Sequence, residues 1–454
     1  MNAYPSTPLC IAFTAFHFYT SSISCQTIYE KNKYKASDGY EYQRLGKAIA
    51  IKDQIVAVTA QSDFLGLTYG QAYLFNRISG EEIAKLESID TGEIDRFGEC
   101  IAIGHGIVAV GASCDNDNGA RTGSVYLFDA ADGHFLTKIY PNDTDTHDYF
   151  GWSVAIGEGY LAVGKPGDDE NEFLAGAVYL FDIQTGQQVY KLIADDGARE
   201  DQFGYAIDIS DGKIAIGAPT EDDDEVEDTG AVYLFDIETG TQIAKLIASD
   251  GEVGDWFGSA VAIDGDLVAV GASDDDDFGA YSGSVYLFDV QSGSQLHKLH
   301  PSDADETALF GWSLAMQDGL LAIGARWVSQ DRQSPGSAYL FDASTGEEIN
   351  VLVASDYSAG QTLGYSIALD NGSIAVGSVQ DRDNGGSAGA AYLFALPEIC
   401  LADTGHDGTL TANDFVAWIA AFHASTSECD QNGDGDCTPS DFSSWIANFN
   451  AGCD

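Results

Sequence analysis

The sequence is short of basic side chains. Its 454 residues include 20 lysines and arginines against 72 aspartates and glutamates, which gives a formal net charge of −52. Nucleic-acid binding depends on cations that neutralise phosphates, so we expect no nucleic-acid partner. An acidic surface of this kind suits a protein that stays soluble in salt or calcium.

Sequence motifs for catalysis are also scarce. The chain has no HExxH metal-binding motif and no phosphate-binding glycine loop. The histidines of its central part occupy scattered, non-equivalent positions: His105, His134, His147, His297 and His300. Carboxylates are so abundant that any two could be drawn as an acid and a base, so they do not indicate glycoside hydrolysis. We therefore expect no enzymatic activity and assign no catalytic residue.

Long apolar runs are missing, apart from one near the N-terminus. No later segment approaches the roughly 20 apolar residues of a membrane-spanning helix, so we expect no transmembrane span. Leu9 to Ser24 is apolar and ends in small residues, which predicts a signal peptide over residues 1–25, although no Lys or Arg precedes it. A lipid anchor on Cys25 is the alternative. Both alternatives predict a secreted or cell-surface protein.

One motif recurs along residues 26–396. FGYAIDISDGKIAIGAP, which begins at Phe203, has six near-copies, and its FG or LG pair returns every 52 to 54 residues. The seven glycines are Gly46, Gly98, Gly151, Gly204, Gly258, Gly311 and Gly364. A second signature, YLF, keeps the same period. Repeats of this length are typical of solenoids and propellers.

Each repeat predicts four short antiparallel strands. In the third copy they are FGWSVAI, YLAVG, AVYLFDI and QQVYKLIA. Turns such as S-D-G and D-N-G join the first two strands, as tight hairpins require. The last copy lacks its fourth strand, and Ile28 to Lys35 aligns with the missing piece. We therefore expect a mainly β protein, a seven-bladed β-propeller closed by its N-terminal strand.

The alternation of large and small residues predicts how the blades pack. On a regular strand, Phe150, Trp152, Val154 and Ile156 share one face, and Gly151, Ser153 and Ala155 share the other. The large face of one blade would then meet the small face of the next, with Phe filling the gap and Gly allowing close approach. These residues are thus expected to be core rather than ligand contacts.

These signatures resemble those of the FG-GAP repeat family, which includes the propeller of integrin α-chains. The match covers the FG pair, the (L/I/V)AVGA(P/S) segment and the VYLF segment over about residues 28–394. Many members carry a DxNxDG-type calcium loop between the first two strands. Here that place holds only tight turns, so the resemblance gives no support for calcium in the propeller.

Acidic loops are expected on one face of the propeller. They include CDNDN (114–118), GDDENE (167–172), TEDDDEVED (220–228) and SDDDD (273–277), together with segments between the blades. This face could gather cations or a basic partner, or it could be a solvated rim. The sixth copy differs, since RWVSQDRQSPG (326–336) replaces acids with two arginines and a Trp that could contact a sugar or a protein.

The last segment, residues 397–454, has another pattern. It contains two copies of a twelve-residue loop followed by a helical DFxxWIAxF pattern, and such loops supply the six to eight oxygens that calcium needs. The predicted ligands are Asp403, Asp407, Asp414 and the Thr409 carbonyl in the first loop, and Asp430, Asn432, Asp434, Asp441 and the Asp436 carbonyl in the second. Gly405 stands where the first loop should have an oxygen ligand, so that site should be the weaker one.

The segment resembles a dockerin, a small helical module with tandem EF-hand-type calcium loops. The resemblance implies Ca²⁺ as cofactor and a cohesin-like or other surface-anchoring receptor as partner, in a bacterial extracellular protein. Its cysteines, Cys400, Cys429, Cys437 and Cys453, allow three disulfide pairings, and the sequence does not choose among them. Four cysteines in so short a segment favour an oxidising compartment.

Together these features predict a secreted or cell-surface binding or scaffold protein without enzymatic activity. Its propeller would bind a protein or glycan not identified by the sequence, and its tail would anchor it through calcium. The alternative is an extracellular polysaccharide-degrading propeller enzyme attached by the same module. An enzyme should break the repeat at several loops that converge on one axis, and the sequence suggests this only in the sixth copy.

Overall fold

The computed structural model describes residues 28–396 except 65–66, 91–94, 223–227, 304–306, 327–335 and 357–359. The predicted signal peptide and the whole tail lie outside these residues. So do the nine predicted calcium ligands, the four tail cysteines and most of the 326–336 loop. Within the described residues, no helix is long and apolar enough to cross a membrane.

The described residues form β-strands arranged as repeated four-stranded antiparallel blades. The chain begins with β1 (Ile28–Tyr34), and five four-stranded sheets follow the order of the sequence. Their strands are β2 (Leu45–Lys52), β3 (Ile55–Phe64), β4 (Leu67–Asn76), β5 (Glu82–Leu86); β6 (Phe97–Gly104), β7 (Ile107–Ala112), β8 (Ser124–Asp129), β9 (Phe135–Ile139); β10 (Val154–Gly157), β11 (Tyr160–Lys165), β12 (Ala177–Asp182), β13 (Gln188–Leu192); β14 (Ala206–Ser210), β15 (Lys213–Ala218), β16 (Ala231–Asp236), β17 (Gln242–Leu246); and β18 (Phe257–Asp264), β19 (Leu267–Ala272), β20 (Ser284–Asp289), β21 (Gln295–Leu299).

The remaining strands join β1 in an eight-stranded sheet. They are β22 (Phe310–Gln317), β23 (Leu320–Ala325), β24 (Ser337–Asp342), β25 (Glu348–Val353), β26 (Leu363–Asp370), β27 (Ser373–Ser378) and β28 (Ala390–Ala395). β1 pairs antiparallel with β28, where Lys33 lies opposite Tyr392, and makes a short parallel contact with β25. The prediction that Ile28–Lys35 supplies the fourth strand of the last copy is therefore confirmed.

The first strands of the sheets surround a common axis. β2 contacts β6, and contacts continue through β10, β14, β18, β22 and β26 back to β2. Tight turns return each first strand to the second, as expected from the sequence. Asp211 and Gly212, for example, have φ values of 48° and 72°, the left-handed pair of a type I′ hairpin. The arrangement is propeller-like.

Hydrophobic cores lie between neighbouring sheets. The core around Phe203 combines Ala155 and Ala162 of one sheet with Ile216 and Tyr233 of the next. Side chains also bond across these interfaces: Ser153 Oγ donates to the Gly204 carbonyl at 2.7 Å, and Ser366 Oγ donates to the Gly46 carbonyl at 2.9 Å. The second bond joins the last sheet to the first. Packing of large residues against small ones between blades is thus confirmed.

The glycine of the FG pair is required by both conformation and space. Gly204 has a φ of 93°, and a Cβ at this position would lie 2.7 Å from the Ala177 carbonyl oxygen of the preceding sheet. The adjacent Phe203 is 1% exposed and meets Tyr233 edge-on at 5.5 Å between ring centroids. The left-handed glycine turns Phe into the core and lets the two backbones touch.

The predicted alternation is wrong at Trp152. The amide of Trp152 donates to the Tyr149 carbonyl at 3.1 Å in a tight turn, and Gly151 has a φ of 85°. The regular pleat therefore begins only at Val154, where β10 starts. Phe150 is buried, but Trp152 is half-buried and packs its ring against Tyr205 of the next sheet. Trp152 thus lies near the axis instead of sharing the face of Phe150.

Replacing the FG glycine tests this account. We expect Gly204→Ala to lower the free energy of unfolding by about 1–3 kcal/mol, because it adds both backbone strain and a clash. Gly186→Ala is the matched control: its φ is 68° but no atom lies within 4 Å of the added Cβ. The control should lose only about 1 kcal/mol from the left-handed conformation. Equal losses in denaturant unfolding would contradict the role assigned to close approach.

Candidate binding face

Two sets of loops meet on one face, as the sequence predicts. We call it the acidic face; it comprises the loops from each second to third strand and the segments that lead into each new sheet. The two sets are hydrogen-bonded to each other, as where the Gly167 amide donates to the Asp148 carbonyl at 3.1 Å. Parallel bridges such as Gly176 with Phe203 fix one sheet's loop beside the start of the next.

Lysine ammonium groups lie inside the carboxylate clusters of this face. In the β6–β9 sheet, Lys138 Nζ lies 2.6 Å from Asp90, 2.5 Å from Asp115 and 2.7 Å from Asp117. The Tyr126 hydroxyl donates to Asp90, and it also lies 3.3 Å from Asp115 Oδ2. The Lys138 side chain is only 7% exposed, so this is an internal ion cluster and not a surface pair.

The cluster recurs because Tyr and Lys are paired across the third and fourth strands. Tyr126 lies directly opposite Lys138, which places both side chains on the same side of the sheet. The Lys–Tyr pairs of this kind are Lys33–Tyr392, Lys85–Tyr73, Lys138–Tyr126, Lys191–Tyr179, Lys245–Tyr233 and Lys298–Tyr286. In each pair the ammonium lies between 4.7 and 5.9 Å from the Tyr ring centroid and contacts at least two carboxylates.

The cluster shifts the pKa values of its members in opposite directions. Burial alone would lower the pKa of Lys138, but hydrogen bonds with the three aspartates outweigh burial and raise it. Burial would raise the pKa of Asp90, but Lys138 and Tyr126 hold it below the usual range. No described lysine or arginine forms an ion pair with Asp95, and burial and the nearby Asp115 raise its pKa to about 6.

The acidic loops were expected either to gather cations or a basic partner or to form a solvated rim, and these contacts show features of both. The outer carboxylates, such as Asp117, are half exposed and form a solvated rim. The inner ones are buried and already hold an internal cation. In the described part of the chain, two groups of carboxylates have the spacing of a metal site, Asp90–Asp115–Asp117 and Asp356–Asp381–Asp383. Lys138 and Lys33 lie within them.

These clusters were not predicted, although the sequence contains a pattern that indicates them. Lys follows the Tyr of YLF by twelve residues in five copies, as in Tyr126 and Lys138. In three of these copies an Asp precedes the Tyr by 36 residues, as Asp90 precedes Tyr126 and Asp143 precedes Tyr179. Composition hides this pattern because so many other acids surround it. In the β22–β25 sheet Val351 takes the place of Lys opposite Tyr339, whose hydroxyl donates to Asp303 at 2.9 Å.

A second group of side chains lies around the axis of the first strands. It consists of the residue after each FG or LG pair, and we call it the axial group: Lys47, Glu99, Trp152, Tyr205, Ser259, Trp312 and Tyr365. Lys47 pairs with Glu99 at 3.2 Å, and its ammonium lies 5.6 Å from the Tyr365 ring centroid. Trp152 and Tyr205 pack at 5.4 Å, and Trp312 and Tyr365 at 6.0 Å.

Arg326 joins the axial group from the end of β23. Its guanidinium carbon lies 3.4 Å from the Trp312 ring centroid and 5.4 Å from that of Tyr365. Its Nε is buried and has no hydrogen-bond partner among the residues that the structure describes. Burial lowers the pKa of Arg326 from its ordinary value. Arg326 was singled out in the sequence as part of the unusual 326–336 loop, and the structure places it beside the aromatic rings of two first strands.

A cavity of about 220 Å³ opens beside these residues. Its lining is Arg44, Lys47, Gln61, Arg326, Tyr365, Val379 and Gln380. Burial opposes the charge of Lys47, but Glu99 and Tyr365 raise its pKa, so Lys47 stays charged. Three cationic side chains thus line one cavity on the acidic face of a chain with 20 lysines and arginines in all.

The two cysteines of the described residues are both free thiols. Cys100 Sγ donates to the Gly151 carbonyl at 3.2 Å, the same bond that Ser153 makes one sheet later. Cys114 is buried in the loop after β7. Burial raises the pKa of both thiols, which makes them unreactive.

Comparison with known families gives one result. The family model described as FG-GAP repeat matches six segments that together span more than half of the chain: residues 81–128, 135–181, 187–235, 241–288, 294–341 and 347–394. Each matched segment begins at or just before the fourth strand of one repeat and ends in the third strand of the next repeat. No curated protein matches the sequence.

Removing one lysine from a cluster tests the role of the ammonium groups. We expect Lys33→Met to lower the free energy of unfolding by about 2–3 kcal/mol, between the values typical of exposed and of buried pairs, since Asp356, Asp381 and Asp383 lose their shared cation. The matched control on the same strand is Lys31→Met, because Lys31 is exposed. The control should change stability by less than about 0.5 kcal/mol.

The same pair of variants has a defined pH dependence. Lys33 holds the pKa of Asp383 below its usual range, so this stabilisation is present above the ordinary Asp pKa of about 4 and is lost as pH falls through the folded-state value. The gap between Lys33→Met and the unsubstituted protein should therefore narrow below about pH 4 in thermal unfolding. A gap that is constant from pH 7 to pH 3 would contradict the electrostatic role.

Proposed function

Because the chain belongs to the FG-GAP repeat family, we propose that it is a secreted or cell-surface binding protein without enzymatic activity. Its repeats form a seven-bladed propeller that presents an interaction surface. Its dockerin-like tail anchors that propeller to a cohesin-like or other receptor in a calcium-dependent way. FG-GAP repeat proteins are often extracellular, which agrees with this assignment.

The seven-blade count is supported by the strands that the structure describes. Five sheets have four strands each, and the eight-stranded sheet divides into β22–β25 and β26–β28 with β1. The cyclic contacts of the first strands and the bond from Ser366 to Gly46 agree with a closed ring. A clasp on the opposite face supports closure as well: Arg77 Nη1 lies 3.0 Å from Asp370, whose side chain is 2% exposed.

The observation that carries the binding function is the axial group. Elsewhere the repeats keep the same residue types, as with the seven FG glycines or the buried YLF segments. After the FG pair, however, the residue is Lys, Glu, Trp, Tyr, Ser, Trp or Tyr. Packing does not require such variety, and large aromatic and charged residues around a cavity are typical of ligand sites. The surface that we propose is therefore the axial end of the acidic face.

The tail supplies the anchor in this proposal. The second loop offers Asp430, Asn432, Asp434 and Asp441 by side chain and Asp436 by its carbonyl, the oxygen-rich pattern that calcium prefers. The first loop, with Asp403, Asp407, Thr409 and Asp414, would bind more weakly. So small a module buries little core, and calcium and disulfides would therefore stabilise it.

Calcium titration and retention on source-cell envelopes test the anchor. We expect the full chain to bind calcium and to be retained on the envelopes only in its presence. The double variant Asp430→Ala with Asp434→Ala should lose the stronger calcium site and most of the retention. Asp454→Ala, which removes a carboxylate outside both loops, is the control and should behave like the parent chain. Retention that is unchanged by a chelator would overturn the anchoring role.

A depolymerisation assay with the same protein tests the absence of enzymatic activity. The full chain is incubated with a panel of neutral and acidic polysaccharides, and reducing ends and unsaturated products are measured. We expect no release above that of a heat-inactivated sample. Release by the native chain would overturn the binding-only proposal in favour of a polysaccharide-degrading enzyme held by the same tail.

A further inference from the structure

We propose that the axial cavity binds a single carboxylate-bearing sugar, a uronic acid residue at the end of an otherwise neutral saccharide. The inference deepens the proposed binding function and rests on it. It follows from the charges that line the cavity, the aromatic rings beside it and the overall charge of the chain.

The charges of the cavity point to an anion. Arg44, Lys47 and Arg326 line it, and Glu99, paired with Lys47 at 3.2 Å, is the acidic side chain that the axial group contributes. The guanidinium carbon of Arg326 lies 3.4 Å from the Trp312 ring centroid, and its buried Nε has no acceptor among the described residues. A planar guanidinium fixed by stacking is suited to a carboxylate, because both groups are planar and their hydrogen bonds run in parallel.

Burial makes an incoming carboxylate favourable at this place. Removal from water disfavours the charged form of Arg326 and lowers its pKa, and a carboxylate beside it would offset that cost. Elsewhere on the acidic face, lysines such as Lys138 are already surrounded by aspartates. Among the described residues, Arg44, Lys47 and Arg326 face two acids, Glu99 and the nearby Asp274. The axial cavity therefore differs from the internal clusters in having more cations than acids.

The rest of the cavity suits a hydroxylated ring. Gln61 and Gln380 place side-chain amides in the lining, and Gln61 Nε2 donates to Glu99 at 3.3 Å. Amides can both donate to and accept from sugar hydroxyls. Tyr365 lines the cavity as well, and Trp312, Trp152 and Tyr205 lie close to the same axis. Aromatic rings provide apolar area for a sugar face together with polar edges. A volume of about 220 Å³ fits one small ring and not an extended chain.

The net charge of the chain excludes a polyanion. At −52, the protein repels a polymer that carries a carboxylate on every residue, and the cavity opens on the face that carries the acidic loops. A single terminal carboxylate escapes most of this repulsion at physiological salt, because charges more than about 8 Å away are screened. The ligand that fits both facts has one acid group on an uncharged saccharide.

Titration of the full chain with small acids tests this inference. The probes are glucuronic acid, glucose as its neutral counterpart, acetate as a bare carboxylate, and a tetragalacturonate as a polyanion, each followed by calorimetry and tryptophan fluorescence in 150 mM salt. We expect glucuronic acid to bind with a dissociation constant on the order of 1 mM or tighter. Glucose, acetate and the tetragalacturonate should each bind at least tenfold more weakly. Equal binding of acetate or glucose, or preference for the polyanion, would overturn the inference.

Two substitutions in and beside the cavity should change the affinity for glucuronic acid in opposite directions. Arg326→Gln should weaken glucuronic acid binding by about 10- to 100-fold, the usual effect of losing a charged hydrogen bond. Glu99→Gln removes the acidic group beside Lys47 and should tighten binding several-fold. Arg199→Gln is the matched control, since it removes an exposed arginine on the same acidic face and should leave binding unchanged. A Glu99→Gln variant that binds no more tightly would overturn the electrostatic argument.

A loss of sugar binding has to be distinguished from a folding defect and from a failure of the calcium-dependent anchor. Each variant is checked by thermal unfolding, and Arg326→Lys, which keeps the charge but not the planar fork, should bind with intermediate strength. If Arg326→Gln does not fold, Lys47→Gln takes its place with the same expected weakening. A chain that is retained on envelopes through calcium but ignores glucuronic acid rejects only the sugar inference. A chain that binds the sugar but is not retained rejects only the anchor.

Discussion

The close approach of adjacent sheets at the FG glycine is the constraint on which the rest of the structure depends. At Gly204 the neighbouring carbonyl lies where a side chain would begin, and φ is 93°. The same residue ends a turn that sends Phe203 into the space between sheets. Without this contact the first strands could not pack around one axis, and neither the buried clusters nor the axial cavity would have walls.

Electrostatics adds a second level of organisation on the acidic face. Placing several aspartates on adjoining loops costs free energy unless a cation lies among them. The strand register solves this by setting Lys opposite the Tyr of the third strand, as with Lys138 and Tyr126. The Lys stem lies along the Tyr ring while its ammonium reaches the carboxylates. A very acidic chain therefore uses part of its small supply of lysines to hold loops together.

The sequence predicts the parts of this fold that depend on local chemistry and on repetition. Tight hairpins such as Asp211–Gly212, the small and large packing faces, and the closing strand β1 all follow from residues that recur. Trp152 could not be placed in this way, because the left-handed Gly151 turns the chain out of the regular pleat at that point. Val154 and Ile156 then return to the core beside Phe150, as the alternation predicts. The lysine clusters and the cavity near Arg326 bring together residues from different sheets, and only the folded chain shows those distances. The tail ligands from Asp403 to Asp441 stay a prediction from sequence, as they lie outside the described residues.

The position after the FG pair shows why variation within a repeat is informative. Its neighbours are held by backbone contact, by core packing or by ion clusters, so each admits few residue types. The axial position touches no core in this way: Trp152, Lys47 and Ser259 occupy equivalent places although they differ in size and charge. Core packing does not restrict the residue type at this position. The rings and charges there contact one another around the axis, so one repeat can differ from the others at this position without a loss of stability. Specificity for a ligand can arise there while the fold stays unchanged.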